Sequence, residues 1–317
     1  MKRGIRAMAK RKSKKQLPLP VIIILLVALV ISGIMEVTGV WDKLNSSVTG
    51  TPYINTHDVD DSDVMATATF IDVGQGDCTL FVSDSTSMLI DSGEAENAPA
   101  IIETLTESGI TELDYLVATH AHSDHIGSMA EILSEIPAKK VIISKPSEDS
   151  QSTRTFTDFI DAATACEAEL IIAEAGYEFS LGYALCRILS PINFYSSMEN
   201  NNSIVMHITV GSTSFMMTGD AEAGAEKAIL DKYDSIKSTI LKAGHHGSDT
   251  SSTEEFIDAV SPETVIIHVG KDNKYGHPMD VIMDRLSEYT DDIYTTAQNG
   301  TVTVKCYKDS YEISTRR

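Results

Sequence analysis

The chain of 317 residues is 42% hydrophobic and 22% charged, which is enough apolar material for a large buried core and excludes a wholly disordered chain. Its charge is unevenly spread: residues 1–16 contain eight basic and no acidic side chains, and the other 17 basic and 46 acidic side chains give the remainder a formal charge of −29. An acidic body of this kind argues against a long basic track for nucleic acid.

The first element in chain order is a short apolar segment. Residues 17–41 include no charged side chain between Val21 and Met35, and they predict a single transmembrane anchor in the lipid bilayer. The basic head of residues 1–16 predicts a cytoplasmic amino terminus and an extracytoplasmic body. A cleaved signal peptide and a buried core helix are the alternatives. No small-residue cleavage site follows the apolar run, and the basic flank disfavours a core helix.

Residues 42–64 are rich in Ser, Thr, Asn and Asp and predict a flexible linker. Residues 65–317 then alternate between strand-like and helix-like patterns. The predicted strands are 66–73, 78–83, 87–91, 114–120, 139–144, 203–211, 213–220, 238–244, 264–269, 292–297 and 301–307, and the predicted helices are 98–110, 124–136, 221–233 and 279–289. Two β-rich halves with interspersed helices imply two packed sheets that are covered outside by helices.

A dense cluster of imidazoles and one acid follows the strand predicted for 114–120. His120 and His122 point to the same side of an extended turn, since side chains alternate with period two. Asp124 and His125 occupy the first turn of the next helix. The segment can therefore present two imidazoles to one ion and a carboxylate with an imidazole to a second. This ligand set suits zinc, with manganese or iron as alternatives. The alternative is that Asp124 only caps the helix and that the histidines are polar loop residues. This alternative does not explain why three histidines and an acid lie within six positions.

The string His120-Ala121-His122-Ser123-Asp124-His125 resembles the HxHxDH signature of the metallo-β-lactamase superfamily. The strings FIDVGQGD, LIDSG, NNS, TGDAE, GHHGS and YGHP occur along the chain in an order similar to that in the soluble domains of ComEC-type competence proteins, from about Phe70 to Pro278. The resemblance implies an α/β fold, a four-layer αββα sandwich, preceded here by the predicted transmembrane helix. It also implies a centre for one or two Zn²⁺ ions, with Mn²⁺ as an alternative.

The resemblance assigns roles to the matching side chains. The implied metal ligands are His120, His122, Asp124, His125, Asp220 as the bridging carboxylate, and His277 as the last ligand. Asp124 would also orient the attacking hydroxide. His245 or His246 would stabilise the transition state or protonate the leaving oxygen, and the H-x-x-S spacing from His245 to Ser248 favours His245.

One expected ligand is missing. The superfamily usually has a further histidine before the strand that leads to the bridging aspartate, and this region reads ENNNSIVMHITV. His207 is predicted to be an ordinary strand residue, so Asn202 or a water molecule would fill the place. Asp72, Asp77 and Asp91 lie at strand ends, where they either orient ligand imidazoles or make turns and caps.

The expected function is metal-dependent hydrolysis of phosphodiester bonds by a nuclease or phosphodiesterase, with DNA as a candidate substrate and a metal-generated hydroxide as the nucleophile. A hydrolase of another ester is the first alternative, such as a phosphocholine or teichoic-acid-like ester, a lactone or a β-lactam. The acidic body favours that alternative. A non-catalytic, anchored binding protein on the same fold is the second, and the intact ligand set argues against it.

Overall fold

A computed structural model describes residues 63–317 of the chain. Within this part, no helix is long and apolar enough to cross a membrane. The predicted basic head, the predicted anchor of residues 17–41 and the linker up to residue 62 lie outside the described residues. The first strand begins at Ala66.

Eight strands form the first sheet. They are β1 (Ala66–Phe70), β2 (Thr79–Ser83), β3 (Thr86–Ile90), β4 (Leu113–Ala118), β5 (Ala138–Ile143), β6 (Glu169–Ile172), β14 (Thr301–Cys306) and β15 (Tyr311–Arg316). Their order is β15-β14-β1-β2-β3-β4-β5-β6. The strands from β3 to β6 run parallel. Because parallel strands end at the same edge of a sheet, Asp91 after β3 and Thr119 after β4 are neighbours.

Seven strands form the second sheet. They are β7 (Glu178–Leu181), β8 (Ala184–Ser190), β9 (Val205–Val210), β10 (Thr213–Met217), β11 (Ile240–Lys242), β12 (Thr264–Ile267) and β13 (Ile293–Thr295). Their order is β13-β12-β11-β10-β9-β8-β7, and β10 to β13 run parallel. The loops after β10, β11 and β12 therefore meet at one edge, which brings Asp220, His246 and His268 together.

Helices cover the outer face of each sheet. They are α1 (Ala98–Glu107), α2 (Ser123–Ile126), α3 (Met129–Glu135), α4 (Glu148–Gln151), α5 (Arg154–Ala165), α6 (Ala223–Lys232), α7 (Glu254–Val260), α8 (Asp280–Ser287) and α9 (Thr296–Asn299). Single 3₁₀ turns lie at Ala95–Asn97, Glu199–Asn202 and Gly244–Gly247. Apolar residues of α1, α3 and α5 pack on the first sheet, and those of α6, α7 and α8 pack on the second.

The central apolar layer lies between the two sheets. Phe81 of the first sheet and Phe215 of the second are fully buried there, with their ring centroids 5.3 Å apart in an edge-to-face arrangement. Burial of one such side chain contributes about 1.5–3 kcal/mol. The predicted pair of packed sheets with outer helices is confirmed.

The helix predicted over 124–136 is instead two helices, α2 and α3, which are separated at Gly127 and Ser128. The Gly127 N–H donates to Gly93 O at 3.0 Å, and the Ser128 hydroxyl donates to Glu94 O at 2.6 Å. A Cβ at position 127 would lie 2.6 Å from Ala95 N, so the close approach requires glycine. This tertiary contact, which apolar spacing does not reveal, holds α2 apart as a single turn beside the site.

Candidate metal centre

His120 and His122 follow β4 on a short extended segment. His120 Nε2 lies 3.0 Å from His122 Nδ1 and 3.9 Å from Asp220 Oδ2. The other ring nitrogen of His120 lies 3.2 Å from Thr119 Oγ1. His120 is buried and His122 is half-buried. The two imidazoles thus share one side of the turn, as their two-residue spacing predicts.

Asp124 and His125 lie in the single turn of α2. His125 is fully buried, and its Nε2 lies 3.2 Å from Asp220 Oδ2 and 4.0 Å from Asp124 Oδ1. Its Nδ1 lies 2.9 Å from Asp91 Oδ2. The Thr119 N–H and hydroxyl donate to the same Asp91 carboxylate at 2.8 and 2.7 Å. Because Asp91 accepts a hydrogen bond from Nδ1, the lone pair of His125 Nε2 faces the interior of the site.

Asp220 stands between the two sets of imidazoles, just after β10. Its Oδ2 lies 3.2 Å from His125 Nε2, 3.5 Å from His246 Nε2 and 3.9 Å from His120 Nε2. Gly219 before it has a φ of 52°, and a Cβ there would lie 2.9 Å from Thr119 Cβ. Glycine therefore permits both the left-handed backbone and the close approach of the two sheets at this point.

The turn Gly244–Gly247 points its two histidines in different directions. His245 and His246 have φ values of 47° and 54°, in the left-handed region that costs non-glycine residues about 1–3 kcal/mol each. His246 is buried, with Nε2 3.3 Å from Asp124 Oδ2 and Nδ1 3.0 Å from the carbonyl oxygen of His268. The turn thus places the imidazole of His246 inside the group.

His245 lies at the more open side of the group. Its Nε2 is 3.9 Å from Asp220 Oδ2. Its Nδ1 is 3.0 Å from Thr250 Oγ1 and 3.5 Å from Glu222 Oε1. The Nδ2 atom of Asn200 lies 3.3 Å from its Nε2. These neighbours fix the ring with one nitrogen toward the centre and the other toward a hydroxyl and a carboxylate.

The ligand atoms of Asp124, His125, Asp220 and His246 all lie within 4.8 Å of one another. Three atoms of this group, His125 Nε2, His246 Nε2 and Asp220 Oδ1, are buried without a hydrogen-bond partner. Buried polar atoms are normally paired, so such a concentration of unpaired ones fits a cation. Imidazole nitrogens with carboxylate oxygens suit zinc, manganese or iron.

The electrostatics of the group favour added positive charge. Burial raises the pKa of Asp124 and of Asp220, but the neighbouring imidazoles, led by His125, together outweigh it, and both pKa values lie below their usual range. Burial lowers the pKa of His125 and of His246, but the neighbouring carboxylates, led by Asp220, together outweigh it, and both pKa values lie above their usual range. The carboxylates are therefore ionised and draw either protons or a cation into the group.

Comparison with known proteins identifies this arrangement. The sequence profile of the metallo-beta-lactamase superfamily matches residues 71–271. The chain belongs to the metallo-beta-lactamase superfamily. Members of this superfamily are typically metal-dependent hydrolases, and the converging group supplies the candidate metal site.

Two relatives and one solved structure illustrate the similarity. ComE operon protein 3 of Bacillus subtilis is 31% identical over 251 residues, which cover 73% of this chain and 32% of that protein. Recombination protein 2 of Haemophilus influenzae is 31% identical over 252 residues, which cover 78% and 30%. The chain thus spans about a third of the length of these relatives. CmlA, a diiron beta-hydroxylase from Streptomyces venezuelae, shares the fold with a TM-score of 0.50 and 14% identity, covering 81% of this chain and 55% of CmlA.

The structure brings His246, but not His277, into the converging group. His246, predicted to be catalytic, belongs to the converging group, whereas His277, predicted to be the last ligand, is not part of that group. The ring of His277 lies at the rim instead, stacked on Tyr275 with centroids 5.7 Å apart, and 5.7 Å from the ring of His245. The physical reason is the left-handed turn at Gly244–Gly247, which directs His246 inward.

Neither His207 nor Asn202 takes the place of the missing superfamily histidine. His207 lies within β9 as predicted, with Nε2 3.3 Å from the carbonyl oxygen of Lys237. The Asn202 amide is fully used by Tyr195: its Oδ1 accepts from Tyr195 N–H and its Nδ2 donates to Tyr195 O, both at 2.8 Å. Asn202 therefore has no side-chain oxygen to offer, and the neighbouring Asn200 faces the site.

Two buried side chains beneath the centre were missed by the sequence reasoning. Lys242 ends β11 and forms an ion pair with Asp77. His268 follows β12, with Nδ1 3.6 Å from Asp77 Oδ1. The sequence signal that could have found them is a titratable residue at the end of an apolar strand, in ILK at 240–242 and in VIIH at 265–268.

The three aspartates at strand ends have different roles. Asp77 lies 3.3 Å from His246 Nδ1, so Asp77 and Asp91 both support ligand imidazoles. Asp72 is exposed and caps a turn through Gly74 N–H at 3.1 Å.

Two adjoining polar cavities open onto the centre. The first, of about 330 Å³, is lined by Gln75, His122, Ser123, Asp124, Asn200, Asp220, His245, His246, Tyr275 and His277. The second, of about 390 Å³, is lined by His122, Ser147, Asp149, Ser150, Ser197, Met198, Glu199, Asn200 and Glu222. His122 and Asn200 line both, so the two cavities form one cleft. Neither set of lining residues includes a lysine or an arginine.

Proposed function

We propose that the chain is a membrane-anchored, metal-dependent hydrolase of phosphodiester bonds that acts outside the cytoplasm. The observation that carries the proposal is the placement of His245. An imidazole stands at the open side of a candidate metal group, with Nε2 3.9 Å from the central Asp220 Oδ2 and a carboxylate and a hydroxyl behind it. An imidazole beside the metal accelerates phosphodiester cleavage, because it can pass a proton to the leaving oxygen, where charge develops.

Asp124, His125, Asp220 and His246 would hold one ion, and His120 and His122 would share Asp220 with a second. A bound divalent cation supplies Lewis-acid polarisation of the ester and activation of water near neutral pH. Asp124 is partly exposed, with 22% of its side chain accessible, so its carboxylate is placed to orient an incoming water.

His245 would exchange a proton with substrate oxygens at Nε2. Burial lowers the pKa of His245, and the opposing Asp220 and Glu222 do not overcome this, so the ring is neutral near pH 7. The Asn200 amide nitrogen, which can only donate, lies 3.3 Å from Nε2, and the Glu222 carboxylate, which can only accept, lies 3.5 Å from Nδ1. The resting ring therefore carries its proton on Nδ1 and a lone pair on Nε2, so Nε2 would first accept the proton of the attacking water and then donate it to the leaving oxygen.

Nucleic acid is the preferred phosphodiester. One relative, Recombination protein 2 of Haemophilus influenzae, is named for recombination, a process that acts on nucleic acid. Tyr275 is 53% exposed at the rim of the cleft, and Lys271 and Lys274 precede it in the sequence. An aromatic ring with nearby cations is a feature that proteins use to hold single strands. Anchoring in the bilayer through residues 17–41 would keep this rim outside the cytoplasm.

The acidic cleft favours a second candidate, hydrolysis of an ester that is not a polyanion. Asp149, Glu199 and Glu222 line the second cavity, which repels an extended phosphate backbone. A phosphocholine or teichoic-acid-like ester, a lactone or a β-lactam would meet less repulsion there.

A substrate panel separates these candidates. The full-length chain, loaded with Zn²⁺ or with Mn²⁺, is assayed on single-stranded DNA, duplex DNA, a chromogenic phosphodiester, phosphocholine esters, a lactone and a β-lactam. We expect phosphodiester cleavage that His245→Gln lowers by about 10²–10³ in kcat, with metal content unchanged, while His207→Gln has no effect. Cleavage confined to the other esters would select the second candidate, and a metal-loaded chain inactive on the whole panel would contradict both.

The anchor is tested separately, in cells that express the full chain and a chain that begins at residue 63. We expect only the full chain to sediment with membranes, and its body to be cleaved by a protease added outside the cytoplasmic membrane. Protection of the body, or equal solubility of the two chains, would contradict this part of the proposal.

A further inference from the structure

Lys242 is a buried lysine directly beneath the candidate metal group. Its side chain is 1% exposed. Its Nζ donates to the carbonyl oxygen of Gly219 at 2.9 Å, forms an ion pair with Asp77, and lies 3.9 Å from Asp220 Oδ1. A fully buried lysine is rare and needs partners that balance its charge. Its partners here are Asp77, the residue before the central carboxylate, and that carboxylate itself.

The two oxygens of Asp220 have different surroundings. Oδ2 lies within 3.9 Å of imidazole nitrogens from both sides of the centre, including His120 and His125. Oδ1 is buried without a hydrogen-bond partner, and its charged neighbour is the Lys242 ammonium. The lysine therefore lies on the side of the carboxylate that faces away from His120 and His125.

We propose that Lys242 is a positioning residue that holds the Asp220 carboxylate so that the single oxygen Oδ2 is shared between the two sets of ligands. The Gly219 carbonyl fixes the backbone just before Asp220, and the ammonium attracts Oδ1. Lys242 thereby determines whether two ions bind as a bridged pair. This inference rests on the metal centre of the proposed function and not on its substrate.

The competing explanation is that Lys242 only neutralises Asp77. Asp77 is buried, and although burial raises its pKa, Lys242 is the largest influence that lowers it below its usual range. If neutralisation were the whole role, removal of both charges would restore the centre. If Lys242 positions Asp220, removal of both charges would leave the defect in place.

The test uses the full-length chain titrated with Mn²⁺ and followed by electron paramagnetic resonance, in which two ions that share an oxygen give an exchange-coupled spectrum. The variants are Lys242→Met, Asp77→Asn and the double variant that carries both changes; Asp77→Asn by itself measures the effect of losing the contact between Asp77 and His246 Nδ1. Lys227→Met is the matched control, since Lys227 pairs with Asp231 on the exposed face of α6. The double variant has no unpaired buried charge, so it keeps the test informative if the single variant does not fold.

We expect the parent and Lys227→Met to bind two Mn²⁺ ions with a coupled spectrum. Lys242→Met and the double variant are expected to bind the second ion at least about tenfold more weakly and to lose the coupling, a loss comparable to that of other supporting residues at metal sites. A parent-like coupled spectrum in the double variant would overturn the proposal, as would a parent that binds a single ion. Loss of substrate turnover with the coupled pair intact would count against the proposed function instead.

Discussion

Replacement of Asp91 by asparagine tests how the orientation of His125 prepares the metal centre. Asp91 is fully buried, and its Oδ2 accepts from His125 Nδ1 at 2.9 Å while Oδ1 accepts from Thr119 N–H at 2.8 Å. Asparagine offers one acceptor and one donor group. If its oxygen keeps the Thr119 bond, its NH₂ faces His125 Nδ1, which then has to accept.

A His125 ring that accepts at Nδ1 carries its proton on Nε2, the atom 3.2 Å from Asp220 Oδ2. A protonated Nε2 has no lone pair for a cation. To bind metal, the His125 ring then has to move its proton back to Nδ1. In that tautomer the Nδ1–H of His125 faces the NH₂ group of the asparagine, and two donors oppose each other. Loss of a supporting residue of this type weakens metal affinity by about 10- to 100-fold, which is about 1.4–2.7 kcal/mol.

The assay is a competition titration of the full-length chain against a chromophoric chelator, with Zn²⁺ and with Mn²⁺. Asp72→Asn is the matched control, because Asp72 also follows a strand but is exposed and caps a turn. We expect a 10- to 100-fold weaker affinity for Asp91→Asn and no change for the control. Parent-like affinity in folded Asp91→Asn would refute the argument that Asp91 sets the tautomer.

Three further predictions concern the stability of the fold, each measured by urea unfolding. Glu226→Gln is expected to lower the free energy of unfolding by about 1–3 kcal/mol. The buried Glu226 carboxylate accepts three hydrogen bonds, and the NH₂ group of glutamine would face one or more of these donors. An unchanged urea midpoint would contradict this. Gly76→Ala is expected to lower the free energy of unfolding by more than about 2 kcal/mol, because a Cβ at position 76 would lie 2.2 Å from the Asp124 carbonyl oxygen. Gly109→Ala is expected to lower it by only about 1 kcal/mol, because nothing lies within 4 Å of a Cβ at position 109. Equal losses of stability would show that the close contact at position 76 is unimportant. Burial lowers the pKa of His207 in the folded chain, so the unfolded chain takes up a proton more readily and the free energy of unfolding falls as the pH drops below about 6.5. His207→Gln is expected to reduce the fall in unfolding free energy between pH 7 and pH 5. A fall identical to that of the parent would contradict this.

Local patterns were sufficient where they concerned one segment at a time. The two-residue spacing of His120 and His122 places both rings on one side of a turn, and the structure shows this. The apolar spacing of 124–136 correctly indicated helix, but it could not show the break at Gly127, because the break comes from the Gly93–Ala95 backbone of another segment. Similarly, His207 was recognised as a strand residue, since it lies inside the β-rich run from Ile204 to Val210.

By itself, the sequence determined the two-sheet core with outer helices and the ligand cluster of residues 120–125, because strand and helix periods and a short cluster are local properties of the chain. The resemblance to the superfamily added the four-layer fold class and Asp220. Only the tertiary structure decided that His246, rather than His277, completes the converging group, since the direction of a side chain in a left-handed turn depends on what that turn packs against. It also revealed Lys242 behind Asp220. The role of this lysine could not be inferred from the sequence, because Asp77 and Asp220, the carboxylates beside its ammonium, lie on two loops that are distant from each other in the chain.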